Sequence, residues 1–119
     1  MKTSSDLDRD PGLRISVQSG DEQLVVCVAG EIDVYTAPRL REQLMPLAGA
    51  GTLIVDLSEV SFLDSTALGV LVGAMKRQRE RGGTMRIVTA GTRVRRLFEI
   101  TGLTRVFTCY ETLDEATSG

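Results

Sequence analysis

The sequence predicts a single α/β domain with a mostly parallel central sheet, an antiparallel edge hairpin and helices packed on the sheet. Strand-like and helix-like patterns follow one another in the order β-β-α-β-α-β-α-β-α. Strands that alternate with helices form parallel sheets through right-handed crossovers. A nearly unbroken apolar run at residues 53–57 is typical of a central strand covered on both faces. The length of 119 residues suits one domain with one core.

The first two strands are predicted to form the edge hairpin. Apolar and polar residues alternate over residues 13–17, which is the period of a half-buried strand. A turn signal at residues 19–21 follows. The second strand is β-branched and apolar over residues 24–29 and is predicted to end at Gly30.

The first helix is indicated by four apolar residues on one face, namely Ala37, Leu40, Leu44 and Leu47. Thr36 is predicted as its N-cap, because a hydroxyl there can accept a hydrogen bond from an unpaired backbone N–H. Pro38 is tolerated in the first turn, and Pro46 is expected to fray or kink the last one. The glycine-rich residues 49–51 end the helix.

The second helix is predicted over residues 65–81, directly after the central strand. Gly82 and Gly83 terminate it. Its apolar face is formed by Leu68, Leu71, Val72 and Met75. The basic residues near its end complement the negative pole of the helix dipole and are interpreted as a solvated helix end: Lys76, Arg77, Arg79 and Arg81.

Two further strands and two further helices complete the pattern. Residues 85–88 are predicted as a strand, and a third helix runs from residues 91–92 to Gly102. Residues 106–110 are predicted as a short last strand. Residues 112–115 have capping-box spacing and begin a short C-terminal helix. The apolar face of the third helix is formed by Val94, Leu97 and Phe98.

Composition argues against several classes of function. The net charge of -2 is too close to zero to indicate binding to nucleic acid or to an acidic membrane surface. With no long apolar run and no signal-peptide pattern, we expect a cytoplasmic protein without membrane insertion. Histidine is absent, and Cys27 and Cys109 are expected to be free thiols. We therefore predict neither a cofactor nor a metal site.

Polar residues collect where two predicted parallel strands end. The two loops are residues 30–36 and residues 58–66. In open α/β sheets the functional loops lie at the carboxyl ends of the strands. If the two strands are neighbours, Asp33 and Asp64 lie close to Ser65, which begins the second helix.

The residues alone leave three interpretations of Ser65 open. It can be a helix cap. It can carry a phosphate, which adds a charge of about -1.5 to -2 and three acceptor oxygens. It can belong to an enzyme, with Asp33 and Asp64 as acid–base groups or Mg²⁺ ligands. The catalytic interpretation is disfavoured because the chain has no histidine, no Gly-x-Ser-x-Gly elbow and no glycine-rich phosphate loop with a lysine.

Three blocks of the sequence resemble the STAS-domain anti-sigma factor antagonists (anti-anti-sigma factors) of bacteria. They are Gly-Glu-Ile-Asp at 30–33, followed by Thr36 and Ala37; residues 55–77, with the specific Phe-Leu-Asp-Ser-Thr before an apolar helix; and residues 95–103. The resemblance implies a single STAS domain over residues 13–117, after a flexible N-terminal tail of residues 1–12. Ala67 departs from the glycine of many relatives, a small change that should leave the site in place.

The resemblance also implies a function. In that family the serine after the aspartate, Ser65 here, is phosphorylated by the cognate anti-sigma factor, a serine-protein kinase with the histidine-kinase-like ATPase fold. The unphosphorylated antagonist binds the anti-sigma factor and releases the sigma factor, whereas phosphorylation blocks binding and a PP2C-type phosphatase restores it. The family's partner-binding surface corresponds to Glu31, Ile32, Asp33, Thr36, Asp64, Ser65, Thr66, Ala67, Leu68 and Gly69.

Other functions of such a domain remain open. A STAS interaction module can also serve another signalling or transport complex, such as a stress-signalling scaffold or a transporter subunit. Thr66 is a second hydroxyl that a kinase could modify. Three arginines of the third helix are interpreted as surface charge that a partner with acidic residues could use, namely Arg93, Arg95 and Arg96.

Overall fold

The computed structural model describes residues 12–118, apart from the side chain of Thr92. The strands are β1 (Leu13–Gly20), β2 (Gln23–Ile32), β3 (Thr52–Leu63), β4 (Thr84–Val88) and β5 (Thr108–Tyr110). The helices are α1 (Ala37–Leu44), α2 (Ser65–Glu80), α3 (Thr92–Ile100) and α4 (Leu113–Ser118), with short 3-10 helices at Met45–Leu47 and Leu103–Arg105. The predicted tail falls, except for Gly12, outside the described residues.

The sheet confirms the predicted architecture. Its five strands lie in the order β1-β2-β3-β4-β5. β1 and β2 form the antiparallel hairpin, and the remaining neighbours are parallel. β3 is therefore the middle strand, and its carboxyl end lies beside that of β2.

The helices cover the two faces of the sheet unequally. The main core gathers buried side chains of α1, α2 and α3 over the inward residues of β3, which are Leu53, Val55 and Leu57. Ile54 points to the opposite face, because side chains alternate along a strand. There Ile54 packs with Val88 and with Ala116 of α4. Burial on both faces explains why residues 53–57 are almost entirely apolar.

β2 and β3 are longer than predicted, and this difference shapes the functional end of the molecule. Residues 58–63 were predicted as a loop, but they continue β3 and pair with the end of β2 through Glu31↔Phe62 and Ile32↔Leu63. β4 ends at Val88, opposite Asp56, so β3 extends beyond β4. A strand without a neighbour on that side is less covered. Its polar residues are therefore compatible with strand structure, although their polarity suggested a loop.

The remaining differences concern element ends. α1 ends at Leu44 and continues as a 3-10 helix over Met45–Leu47, which is the distortion expected from Pro46. α2 ends at Glu80, one residue early, and Gly82 follows with φ of +84°. β5 is shorter than predicted, and the buried Phe107 precedes it as an irregular residue packed on Phe98.

Candidate functional site

The candidate site lies at the carboxyl ends of β2 and β3. The last residues of these strands, Ile32 and Leu63, are paired, and the backbone N–H of Asp64 donates to the Ile32 carbonyl oxygen over 3.2 Å. Asp33 and Asp64 thus directly follow two paired residues. The strand pairing confirms the predicted neighbourhood of the two loops, with Ser65 next to Asp64.

Gly30 shapes the approach to the first loop. Its φ is +113°, and the register between β2 and β3 shifts between Gly30 and Glu31. A Cβ atom at this position would lie 2.2 Å from the Gly12 carbonyl oxygen. The N–H of Glu31 donates to that same oxygen over 2.7 Å. Glycine is therefore required at this irregularity within β2, shortly before the strand ends and the loop begins.

A closed hydrogen-bond network holds the loop after β2. The Asp33 carboxylate accepts from the N–H groups of Tyr35 and Thr36 over 2.9 and 3.0 Å. In return the Thr36 hydroxyl accepts from the Asp33 N–H over 2.9 Å and donates to the Glu31 carbonyl oxygen over 2.9 Å. The hydrogen bonds to the Asp33 carboxylate, first of all that from the Thr36 N–H, lower the pKa of Asp33 below its ordinary value. Asp33 therefore stays ionised at neutral pH.

The network corrects the predicted role of Thr36. Thr36 does occupy the N-cap position of α1, but its side chain makes no capping hydrogen bond to that helix. Its hydroxyl turns back to Asp33 instead, so the pair forms a reciprocal arrangement of the capping-box kind. Asp33 begins the turn, and the Ala37 N–H donates to its carbonyl oxygen over 2.8 Å.

Asp64, and not Ser65, caps α2. Asp64 has extended backbone angles, and its carboxylate accepts from the Ala67 N–H over 3.1 Å. Ser65 is the first helical residue, and its side chain is exposed. Thr66, the second helical residue, is exposed as well. The structure therefore removes the interpretation of Ser65 as the cap, which leaves its hydroxyl accessible.

The ten residues of the expected partner-binding surface divide by exposure. Glu31, Ser65, Thr66 and Gly69 are exposed, and Asp33 and Asp64 are half-buried. The other four are buried: Ile32, Thr36, Ala67 and Leu68. These four shape the surface from beneath, whereas the exposed and half-buried residues present it to solvent.

Sequence reasoning missed the apolar part of this surface. Val34 and Tyr35 of the first loop are 57% and 84% exposed, and Phe62 and Ile100 are 45% and 73% exposed. Exposed apolar side chains that lie close together often mark an interaction surface. Ile100 was detectable in the sequence, because it falls outside the face of α3 that carries Val94, Leu97 and Phe98. Phe62 was not, because its exposure depends on how far β3 extends beyond β4.

An apolar groove lies between the end of β3 and α3. Its volume is about 250 Å³, and its lining residues are Phe62, Leu63, Arg93, Val94, Arg96, Leu97 and Ile100. Leu63 is two residues from Ser65, so the groove adjoins the start of α2. Both arginine side chains are exposed at its rim.

No group of three or more potential metal ligands occurs within residues 12–118. Burial raises the pKa of both thiols, those of Cys27 and Cys109, which disfavours the reactive thiolate. No helix in the described part of the chain is long and apolar enough to cross a membrane. The site presents two exposed hydroxyls, those of Ser65 and Thr66, together with three carboxylates and exposed apolar side chains.

Several known proteins are similar to this chain in sequence and in fold. The sequence profile of the STAS domain matches residues 14–116. An anti-sigma-B factor antagonist of Bacillus subtilis (strain 168) is 46% identical over 92 residues, which cover 76% of this chain and 84% of the relative. The crystal structure of an anti-sigma factor antagonist from Mycobacterium paratuberculosis has a TM-score of 0.78 and 33% identity, and the match covers 92% of this chain and 94% of that one.

A more distant structure shares the fold alone. The Bacillus cell fate determinant SpoIIAA, solved in its phosphorylated form, has a TM-score of 0.66 and 22% identity, with 88% of this chain and 97% of that chain covered. The profile match spans most of the chain, and the relative from Bacillus subtilis is well above 30% identical over most of both sequences. The chain belongs to the STAS-domain family of anti-sigma factor antagonists.

Proposed function

We propose that the unphosphorylated protein binds a cognate anti-sigma factor, which releases the sigma factor, and that phosphorylation of Ser65 blocks this binding. The observation that carries the proposal is the exposed Ser65 at the first position of α2, with the cap supplied by Asp64. Because the Asp64 carboxylate caps α2 through the Ala67 N–H, the serine hydroxyl is not needed as the cap. It is therefore available to a kinase.

The fold tolerates a phosphate at this position. The first N–H groups of a helix have no partner within the helix, and the helix dipole favours negative charge there. A phosphate on Ser65 would thus be stabilised by α2 itself. We infer that phosphorylation leaves the domain folded and acts on the partner instead. SpoIIAA, which shares the fold, has been solved in a phosphorylated form.

Charge explains how the modification would block docking. Glu31, Asp33 and Asp64 already place three carboxylates near Ser65, and the lowered pKa of Asp33 keeps it ionised. A phosphoserine adds about -1.5 to -2, so the local charge changes from about -3 to about -4.5 to -5. A partner surface adapted to the unmodified site would have to desolvate this phosphate or face it with an acidic group. Either effect disfavours the complex.

The same proposal assigns the enzymes of the cycle to other chains. The anti-sigma factor would act as the serine kinase, and a PP2C-type phosphatase would restore the binding form in the cytoplasm. The names of the relatives support an anti-sigma factor as the partner. The lack of histidine and of a metal-ligand cluster within residues 12–118 agrees with a chain that is substrate rather than catalyst.

The test uses the full chain, the cognate anti-sigma factor recovered by pull-down, and ATP. Mass spectrometry is expected to locate one phosphate on Ser65, after which the complex dissociates. Ser65→Ala should remain bound in the presence of ATP, and Ser65→Asp should bind weakly without it. Thr66→Ala is the matched control for the site of phosphorylation, since it removes the neighbouring exposed hydroxyl, and the variant should still receive a phosphate on Ser65 and be released by ATP.

Two outcomes would contradict the proposal. One is a phosphate on Thr66 with none on Ser65. The other is a Ser65→Asp variant that binds the anti-sigma factor as tightly as the wild type. Recovery of a membrane complex in place of a small ATPase-fold protein would favour a STAS module of a transport complex.

A further inference from the structure

We propose that the groove between β3 and α3 is a second anchor for the anti-sigma factor and takes an apolar side chain flanked by a carboxylate. This inference rests on the proposed function, whose site lies on the loop after β2 and the first turns of α2. It adds a surface from α3 that lies outside that site. It also specifies the chemistry of the partner segment that docks there.

The groove lies close to Ser65. Leu63 lines the groove and is two residues from Ser65, so their Cα atoms are at most about 7 Å apart. A stable protein interface covers about 800 Å² on each partner, which corresponds to a patch about 30 Å across. A partner centred on Ser65 therefore reaches the groove.

The groove is bordered by exposed apolar side chains. Ile100 is 73% exposed and Phe62 is 45% exposed, although both side chains are large and apolar. Between them the groove offers about 250 Å³ lined by Leu63, Val94 and Leu97. Buried apolar anchors in such pockets carry much of the binding energy of interfaces. The groove is therefore suited to a side chain of the size of leucine, isoleucine or phenylalanine.

The rim of the groove is positively charged. Within residues 12–118, Arg95 pairs with Glu99 over 3.5 Å, whereas Arg93 and Arg96 form no ion pair. These two guanidinium groups are exposed at the groove rim. An aspartate or glutamate beside the apolar anchor would pair with them, and arginine is well suited to bind carboxylates through two parallel hydrogen bonds.

The surface as a whole is polarised. The loop side carries Glu31, Asp33 and Asp64, and the groove side carries Arg93 and Arg96. A complementary partner is acidic where it faces the groove, so a phosphate on the nearby Ser65 would repel that acidic segment. Such complementarity fixes the orientation of a complex and steers its association. It also places the phosphate of Ser65 between the two halves of the interface.

The first experiment measures the affinity of the full chain for the cognate anti-sigma factor by calorimetry. Ile100→Ser is expected to weaken binding by about tenfold or more, because it removes an exposed apolar anchor. Its matched control is Val17→Ser, which changes a 40% exposed apolar residue on β1. The control should bind as the wild type.

A charge-reversal pair tests the arginines. Arg93→Glu with Arg96→Glu is expected to weaken binding by at least tenfold at 50 mM salt and by less at 500 mM, since salt screens exposed charges. The matched control is Arg77→Glu with Arg79→Glu, which makes the same change of charge near the other end of α2. It should leave the affinity unchanged.

Cross-linking identifies the occupant directly. With p-benzoylphenylalanine at position 62, illumination of the complex should attach a partner peptide in which an apolar residue lies next to Asp or Glu. A cross-linked peptide without a carboxylate would overturn the assignment. So would a cross-link to a second copy of this chain, together with a dimer mass that Ile100→Ser reduces to that of a monomer.

The outcomes separate this inference from the proposed function. If Ser65→Asp abolishes binding while Ile100→Ser and the Arg93/Arg96 reversal bind as the wild type, the groove is not an anchor and the switch stands. If the wild type binds no anti-sigma factor, the proposed function fails and the groove assignment fails with it.

Discussion

Replacing Gly30 by alanine should disrupt the entry into the functional loop. Gly30 has φ of +113°, a region that residues with a side chain rarely adopt, and the strain costs about 1–3 kcal/mol. The added Cβ would also lie 2.2 Å from the Gly12 carbonyl oxygen and 3.3 Å from the Leu13 Cα. Both neighbours are backbone atoms, so the edge hairpin has to shift at a further cost of about 1–3 kcal/mol.

The combined effect is a loss of about 2–6 kcal/mol in the free energy of unfolding. Domains of this size are stable by about 5–15 kcal/mol, so the loss should be large but measurable in a folded protein. Urea denaturation followed by far-ultraviolet circular dichroism is the assay. The midpoint should fall by about 1 M or more for a slope of 1–3 kcal/mol per molar urea.

Gly69→Ala is the matched control. Gly69 lies inside α2, and a Cβ atom there would meet nothing within 4 Å. The substitution should therefore raise stability by about 0.5–1 kcal/mol through helix propensity. Equal stabilities of Gly30→Ala and the wild type, within about 0.5 kcal/mol, would refute the reasoning about φ and close backbone contact.

Three further predictions concern groups that hold the site. Asp64→Ala should lower the free energy of unfolding by about 1 kcal/mol while Asp64→Ser retains most of it, as thermal denaturation would show, because both Asp and Ser accept the Ala67 N–H. The pKa of Asp33 is lower in the folded state than its ordinary value of 3.8, so its stabilising contribution is present above that value and is lost as the pH falls through the folded pKa. The stability difference between wild type and Asp33→Asn should thus be constant from pH 5 to 8 and should shrink only below the ordinary value of 3.8; a difference that disappears already at pH 5 would contradict the assignment. Gln78→Leu should cost about 1–3 kcal/mol in urea denaturation, because the buried Gln78 amide accepts from Gly49 and donates to Gly51, and a midpoint equal to that of the wild type would show that water replaces both bonds.

Local patterns predicted the elements whose burial is regular. Leu13 and Ile15 alternate with polar residues because one face of β1 packs on the core there, whereas Val17 farther along the strand is exposed. Residues 53–57 are apolar because β3 is covered on both faces. The continuation of β3 through residues 58–63 could not be predicted in this way. It depends on pairing with Glu31 and Ile32, which the sequence of β3 does not encode locally.

The parts of the site that depend on strand order could be predicted from the sequence. The parts that depend on how the helices pack could not. Adjacent parallel strands bring Asp33 and Asp64 to one end of the sheet, and this follows from element order. The capping of α2 by Asp64 and not by Ser65 depends on the backbone at the start of the helix, where Asp64 is extended and its carboxylate reaches the Ala67 N–H. The groove was not predictable, because it requires α3 to lie beside the part of β3 that extends past β4.

We propose that the charge on Ser65 decides whether the surface docks. The most direct measurement is the Kd of the anti-sigma factor for one preparation of the protein before and after stoichiometric phosphorylation of Ser65, with circular dichroism as a check of folding. The phosphorylated protein should stay folded and bind at least tenfold more weakly, a difference of about 1.4 kcal/mol or more. Equal affinities of the two folded forms would contradict it.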